Sequence, residues 1–145
     1  MSKAKPLAAL QLPFPPTVNT YWRSVWKPGW PRPRVLISER GRNYRKNVAA
    51  EVWKQLGGKL MLKGPLRVTL AVTMPDNRKR DLDNLLKGPL DAMEEAGVYG
   101  DDNQIHDLRI TKLGVSTEKI GRLDVVIESA DELPLFGGMQ NEVME

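Results

Sequence analysis

The sequence predicts an α+β fold, a small mixed β-sheet with two main helices in the order β-β-α-β-α-β-β. Residues 66–74 alternate between apolar and polar side chains, as a half-buried strand does. Residues 39–56 carry apolar side chains at four-residue spacing, and residues 82–96 gather theirs in one sector of a helical wheel. The 145 residues are enough to bury one ordinary core, so we expect a single domain over residues 1–128.

The N-terminal region contains apolar, aromatic and basic stretches in turn. Apolar residues 7–12 predict a first strand, and the prolines that follow end it. Tyr21, Trp22 and Arg23 come next, and two interpretations stay open for them: packing in the core, or stacking on bases with phosphate contact. Residues 27–34, rich in proline, glycine and positive charge, predict a loop. Two tryptophans are predicted to be exposed there: Trp26 and Trp30.

The first main helix has clear signals at both ends. Residues 35–37 predict a short strand, and Ser38 is placed to cap the helix over residues 39–56. Gly57 is placed to end that helix. Its basic side chains are predicted to lie on the outer, solvated face. They are Arg42, Arg45 and Lys46.

The second main helix, over residues 82–96, contains Pro89. Proline lacks a backbone donor, so a kink or a late helix start is expected, and Gly97 closes the helix. Two last strands, one starting near Gln104 and one over residues 123–127, are predicted to pair with each other across a turn. From residue 129 to 145 the chain is acidic and aperiodic, which predicts a disordered tail.

Composition excludes several kinds of site. The chain has no cysteine, which rules out disulfides, thiol nucleophiles and cysteine-based zinc sites. A single histidine, His106, argues against a Ser-His-Asp triad or a two-histidine metal site. The chain also lacks a run of about 18 apolar residues and a signal-peptide core. We therefore expect a cytoplasmic protein with no membrane association.

The net charge of +4 conceals a strong asymmetry along the chain. Residues 1–80 contain 17 lysines and arginines against 3 acids, whereas residues 81–145 contain 5 against 15. A basic half suggests a polyanionic partner, of which nucleic acid is the commonest, although a solvated surface balanced by the other half is the simpler alternative. The sign changes at the junction between Arg80 and Asp81, directly after the basic run Arg78, Lys79, Arg80.

Carboxylates flank the second main helix on both sides. Asp81 and Asp83 precede it, and Asp101 and Asp102 follow it after a turn. Bringing such charges together costs free energy that a bound divalent cation relieves, and carboxylates are ligands that Mg²⁺ accepts. An ordinary explanation exists for each part: an ion-pair ladder along the helix, and turn chemistry for the second pair. It leaves Asp81 unexplained, so we favour a metal site with two aspartates from the helix start and one from the loop.

A magnesium site beside a basic surface suits phosphodiester hydrolysis, because the metal activates water and stabilises the attacking and leaving oxygens. Lys87, one helical turn beyond Asp83, could neutralise the charge that develops on the phosphate. Asp91 shares their flank but lies about 12 Å from Asp83 along the axis, too far for a shared metal, so we interpret it as structural.

Three segments of the chain resemble a known protein family. The segment RDLDNLLKGPLDAMEEAGVYGDDNQI resembles the signature of RusA-type Holliday junction resolvases. The segments PPTVNTYWR and LISERGRNYRKNV are similar to that family's N-terminal part, and the resemblance covers about residues 13–128.

The resemblance implies specific roles and partners. It places the family's catalytic, metal-binding carboxylates on Asp81, Asp83 and Asp102 and the essential lysine on Lys87, with a secondary role for Asp101. It further implies a homodimer that uses Mg²⁺ to make two symmetric nicks across a four-way DNA junction. Expected DNA contacts are Arg23, Arg78, Lys79 and Arg80. Two alternatives stay open: a non-catalytic junction-binding or nucleic-acid-binding module, and a ribonuclease or flap nuclease with the same metal site.

Overall fold

The computed structural model describes residues 5–130 and confirms the α+β class. A four-stranded mixed sheet has the order β1-β6-β4-β5, and a two-stranded sheet pairs β2 with β3. The strands are β1 Ala8–Pro13, β2 Trp22–Val25, β3 Arg34–Ile37, β4 Leu66–Met74, β5 Ile105–Val115 and β6 Arg122–Ser129. The helices are α1 Val18–Tyr21, α2 Glu39–Leu56 and α3 Lys87–Glu95, with 3₁₀ turns at Leu82–Leu85 and Asp102–Gln104.

The central strand β4 behaves as its alternating sequence predicts. Its apolar side chains, every second residue from Leu66 to Met74, are buried, and the side chains between them are partly exposed. β6 pairs antiparallel on one side of β4 and β5 pairs parallel on the other. A parallel neighbour requires a crossover connection, and the segment that carries α3 supplies it. Both acidic pairs therefore lie at the ends of this crossover.

Helix α2 begins and ends where its local signals predict. Ser38 Oγ accepts a hydrogen bond from the Gly41 backbone N–H at 3.0 Å, and Gly57 adopts φ +79° at the other end. A Cβ at Gly41 would lie 2.5 Å from the carbonyl oxygen of Tyr21, so glycine lets the helix start pack directly on that backbone. Of the helices described within residues 5–130, none has both the length and the apolarity needed to cross a bilayer.

The structure adds two elements that the predicted order lacks. Val18–Tyr21 forms one turn of helix, and Trp22–Val25 pairs antiparallel with β3 to form a separate hairpin. The sequence WRSV has neither alternation nor length, so it carries no clear strand signal by itself. Its pairing with the predicted strand 35–37 is what makes it a strand.

The helix predicted over residues 82–96 is interrupted. A 3₁₀ turn at Leu82–Leu85 precedes α3, which starts only at Lys87. Pro89 thus falls in the first turn of α3, where its missing N–H removes no intrahelical bond. The expected late start is confirmed, and Gly97, at φ +80°, follows the last turn as predicted.

The predicted pairing of the last two strands is wrong. β6 lies between β1 and β4, whereas β5 lies at the far edge beside β4. Burial explains the difference: Leu123, Val125 and Ile127 are at most 1% exposed, as a central strand requires, whereas β5 contains no fully buried residue. The domain limit at residue 128 stays a prediction, and residues 131–145 of the predicted tail lie outside the described residues.

Candidate functional site

The start of the crossover presents three exposed charged side chains. Asp81 ends the extended basic stretch, with φ −85° and ψ 136°, Asp83 lies in the 3₁₀ turn, and Lys87 is the first residue of α3. Within residues 5–130, none of these three side chains has a hydrogen bond or ion pair. The suggested ion-pair ladder is therefore absent from this part of the chain, and both carboxylates keep their oxygens free for a cation.

Asp91, interpreted from the sequence as structural, takes part in a contact between α2 and α3. Its carboxylate accepts hydrogen bonds from the Tyr21 hydroxyl and from Arg45 Nε, the latter at 2.8 Å. Arg45 was predicted to face solvent, but its guanidinium turns inward and ties α2 to α3. Burial, together with the hydrogen bond to Asp91, raises the pKa of Tyr21 above its ordinary value.

The other end of the crossover is a loop fixed by its own side chains. Gln104 Oε1 accepts hydrogen bonds from the backbone N–H groups of Gly100 (3.0 Å) and Asp101 (3.1 Å). The Gln104 amide nitrogen donates to the carbonyl oxygens of Leu62 (2.9 Å) and Gly64 (3.0 Å) on the segment before β4. Asp101 Oδ1 accepts from the Asn103 backbone N–H at 2.8 Å, which makes Asp101 the cap of the 3₁₀ turn.

A cluster of carboxylates forms where this loop meets α3. One oxygen each from Glu94, Asp101 and Asp102 lies within 4.8 Å of the others, and the Asp102 backbone N–H donates to Glu94 Oε1 at 2.6 Å. Three convergent hard oxygen donors fit a divalent cation. Asp81 and Asp83 are not members of this cluster among the described residues, so their place as ligands stays a prediction.

Glu94 is the member that the sequence analysis missed as a candidate ligand. Its signal was its position on the same flank of the helical wheel as Asp83 and Lys87, beyond the apolar sector. The negative charge of the cluster also acts on nearby Tyr99. Burial of its hydroxyl, and then the charges of Asp102 and Glu94, raise the pKa of Tyr99. That hydroxyl donates to the Leu90 carbonyl oxygen at 2.6 Å, which anchors α3 under the cluster.

The basic run before Asp81 contains one closely held side chain and two more exposed ones. Arg80 donates to both oxygens of Asp76, at 2.6 and 3.2 Å, and lies over the Phe14 ring at 5.1 Å. These hydrogen bonds lower the pKa of Asp76 to about 2. Arg78 and Lys79 are exposed, so they remain open to a ligand, whereas Arg80 also shapes the local structure.

The aromatic residues of the N-terminal region have different roles. Tyr21 is completely buried, and Trp22 packs against it edge-on at 5.0 Å. Trp26 is exposed as predicted, but Trp30 is only partly so, because the Arg34 guanidinium lies 4.3 Å from its ring centroid. Arg23 is exposed on β2.

Comparison with known proteins identifies the family of this chain. The family model for endodeoxyribonuclease RusA matches residues 13–128. A crossover junction endodeoxyribonuclease RusA of Enterobacteria phage HK97 is 38% identical over 122 residues, covering 84% of this chain and 94% of that protein. Proteins of the same name from Escherichia coli K12 and Enterobacteria phage 82 are 39% identical; alignment with the first covers 82% of this chain and 92% of the relative, and with the second 81% and 91%. The chain therefore belongs to the RusA endodeoxyribonuclease family.

Proposed function

We propose that this protein is a Mg²⁺-dependent, structure-selective endodeoxyribonuclease that resolves Holliday junctions in DNA recombination and repair. It acts in the cytoplasm as a homodimer, each subunit hydrolysing one phosphodiester at symmetric positions. The observation that carries the proposal is the trio of exposed, unpartnered side chains Asp81, Asp83 and Lys87 within the described residues 5–130, directly after a strongly basic stretch. The relatives of this chain are named crossover junction endodeoxyribonucleases.

The proposed roles follow from the chemistry of each side chain. Asp81, Asp83 and Asp102 would hold Mg²⁺, which when bound would supply an activated water and stabilise charge on the phosphate oxygens. Lys87 places a compact positive charge at the phosphate without first breaking an ion pair within the described chain. Asp101 has the secondary role of shaping the loop, because it caps the turn that carries Asp102. Arg78 and Lys79 lead the DNA backbone toward Asp81.

A cleavage assay on a mobile four-way junction tests the proposal. Wild-type protein with Mg²⁺ is expected to release paired nicked duplexes, whereas EDTA and Asp83→Asn each abolish cleavage. Asp124→Asn, on β6 and paired with Arg122 at 3.3 Å, is the matched control and should cleave normally. No cleavage by wild type, or undiminished cleavage by Asp83→Asn, would overturn the proposal.

The same experiment separates the alternatives. A non-catalytic binding module would bind junctions in a strongly salt-dependent manner without a divalent ion and would never turn them over. Parallel reactions with linear duplex DNA, a flap substrate and RNA test the alternative that the protein is a flap nuclease or a ribonuclease. Sedimentation at several protein concentrations tests the homodimer, because symmetric cleavage requires two sites on one particle.

A further inference from the structure

A second feature outside the acidic site is a basic groove beside α2. It is an open depression of about 530 Å³, lined by the first half of α2, the segment before α1 and the basic run that precedes Asp81. One wall carries Arg40, Asn43 and Asn47 from α2. The basic run contributes Arg78 and Lys79 to the lining. No sequence pattern pointed to the α2 wall, since its residues are ordinary exposed polar side chains.

The charge of the groove favours an anionic occupant. None of its lining residues is acidic. The side chains of Arg40, Lys79, Asn43 and Asn47 have no hydrogen bond or ion pair within residues 5–130. Arg78 is 83% exposed at the side chain and reaches Asp76 only at 3.9 Å, so most of its charge is available. Arg80 also lines the groove but is held by Asp76, so the available charge comes from Arg40, Arg78 and Lys79. Available cations and amide donors that line one space are what phosphate contacts require.

The shape of the groove favours a chain of phosphates over a single one. Arg40, Asn43 and Asn47 follow the i, i+3, i+7 spacing, so they form one stripe along α2 that is about 10 Å long. A lone phosphate could engage only part of that stripe. The basic run that lines the groove continues along the chain into Asp81, so a linear anion that follows it leads to the proposed catalytic site.

We propose that this groove holds the sugar–phosphate backbone of one DNA strand next to the bond that is cleaved. Arg40 contacts one phosphate from the α2 wall, the two asparagine amides hydrogen-bond to adjacent backbone oxygens, and Arg78 and Lys79 close the other side. Phosphate contacts fix register without reading bases, so the groove contributes affinity and alignment rather than sequence preference. The inference rests on the proposed junction-cleaving function for the identity of its strand.

The salt dependence of junction binding tests the groove. Binding is measured in the Asp83→Asn background, without Mg²⁺, from low to moderate salt. Losing one phosphate contact lowers the magnitude of the slope of log K against log salt by about 0.9, which at 0.1 M salt corresponds to roughly 8-fold weaker binding. Arg40→Ala should show this change and Arg40→Lys should retain most of the slope. Asn43→Ala with Asn47→Ala should weaken binding and leave the slope unchanged.

Lys46→Ala is the matched control, because it removes the same charge from the same helix but does not line the groove. A slope for Arg40→Ala equal to that of wild type or of Lys46→Ala overturns the inference. The outcome is separable from the proposed function: wild-type protein that binds but never cleaves removes the nuclease and still allows the groove to be tested. Normal cleavage with an unchanged Arg40→Ala slope removes the groove alone.

Discussion

The two acidic pairs that flank α3 differ in how the fold treats them. Asp101 and Asp102 lie in a loop whose backbone donors are taken up by Gln104 and Glu94. Asp81 and Asp83 lie on an exposed stretch, and within residues 5–130 their carboxylates have no partner. The backbone of the Asp101–Asp102 pair is therefore fixed in the absence of a ligand, whereas the carboxylates of Asp81 and Asp83 are free to bind one.

The difference indicates that only the loop pair is held in place by the fold. Two carboxylates 4 Å apart repel by about 4 kcal/mol at an effective dielectric of 20, so a convergent cluster is stable only with compensating interactions. Hydrogen bonds from the backbone supply part of this compensation at the Asp102 loop, and a cation would supply the rest. The carboxylates of Asp81 and Asp83 make no stabilising contact within residues 5–130. Their substitution should therefore lower the cleavage rate without lowering the free energy of unfolding.

The largest expected effect comes from Lys87→Ala. Lys87 is exposed and has no partner within residues 5–130, so its removal should leave thermal unfolding unchanged. Loss of a charge that acts on the transition state should lower single-turnover cleavage of saturating junction by about 100- to 1,000-fold. Lys63→Ala, also exposed, serves as the control. A variant that unfolds at the working temperature would show that Lys87 is structural.

Asp91→Ala tests the opposite case, a carboxylate that is already bound by other side chains of the protein. Its removal leaves the Tyr21 hydroxyl proton without its acceptor and Arg45 without its counter-ion, although Arg45 Nε still donates to the Tyr21 hydroxyl oxygen at 3.0 Å. The loss should cost about 2–3 kcal/mol, less than for a fully buried pair because Arg45 is partly exposed. Urea unfolding measures this cost, and a double-mutant cycle with Arg45→Ala should show strong coupling. Lost cleavage at unchanged stability would place Asp91 in the active site instead.

Gln104→Ala should have a smaller effect, on the prearranged loop itself. The variant loses the hydrogen bonds that join Gly100 and Asp101 to the segment before β4, at a cost of about 1–2 kcal/mol. Because the loop then positions Asp102 less well, the Mg²⁺ concentration for half-maximal cleavage should rise about 10-fold. Asn103→Ala, next to it on the same loop, should change neither quantity. An unchanged Mg²⁺ dependence in Gln104→Ala would contradict the idea of a prearranged loop.

The smallest effect concerns Asp76, the engaged neighbour of the free pair. The hydrogen bonds from Arg80 lower its pKa from 3.8 to about 2, so its contribution to stability is complete above about pH 4 and is lost as the pH falls through 2. Asp76→Asn should therefore unfold at lower urea concentration than wild type at pH 5, and the two should converge toward pH 2. A constant difference across this range would mean that the pair does not carry the effect.

Local signals explain how much of this protein could be predicted from its sequence. The bounds of α2 came from a cap at Ser38, a glycine at residue 57 and a regular apolar spacing, all of which act within a few residues. The alternation in β4 is equally local. The order of Asp81, Asp83 and Asp102 on the two sides of α3 is also given by the sequence. The distances between them are not, because the parallel register starts the crossover after Met74 and ends it beside Leu66, at opposite ends of β4.

Tertiary structure decided what depends on distant partners. Both β5 and β6 carry strand patterns, and both pair with β4. The tertiary structure places β6 between β4 and β1, where its apolar side chains are buried, and leaves β5 at the edge of the sheet. The sequence predicted Arg45 to be a solvated cation, whereas the packing of α3 on α2 pairs it with Asp91, 46 residues along the chain. Glu94 reaches the Asp102 loop in the same way. The sequence determines periodicity and caps because they arise between near neighbours, whereas pairing and ion-pair choice depend on which surfaces are buried together.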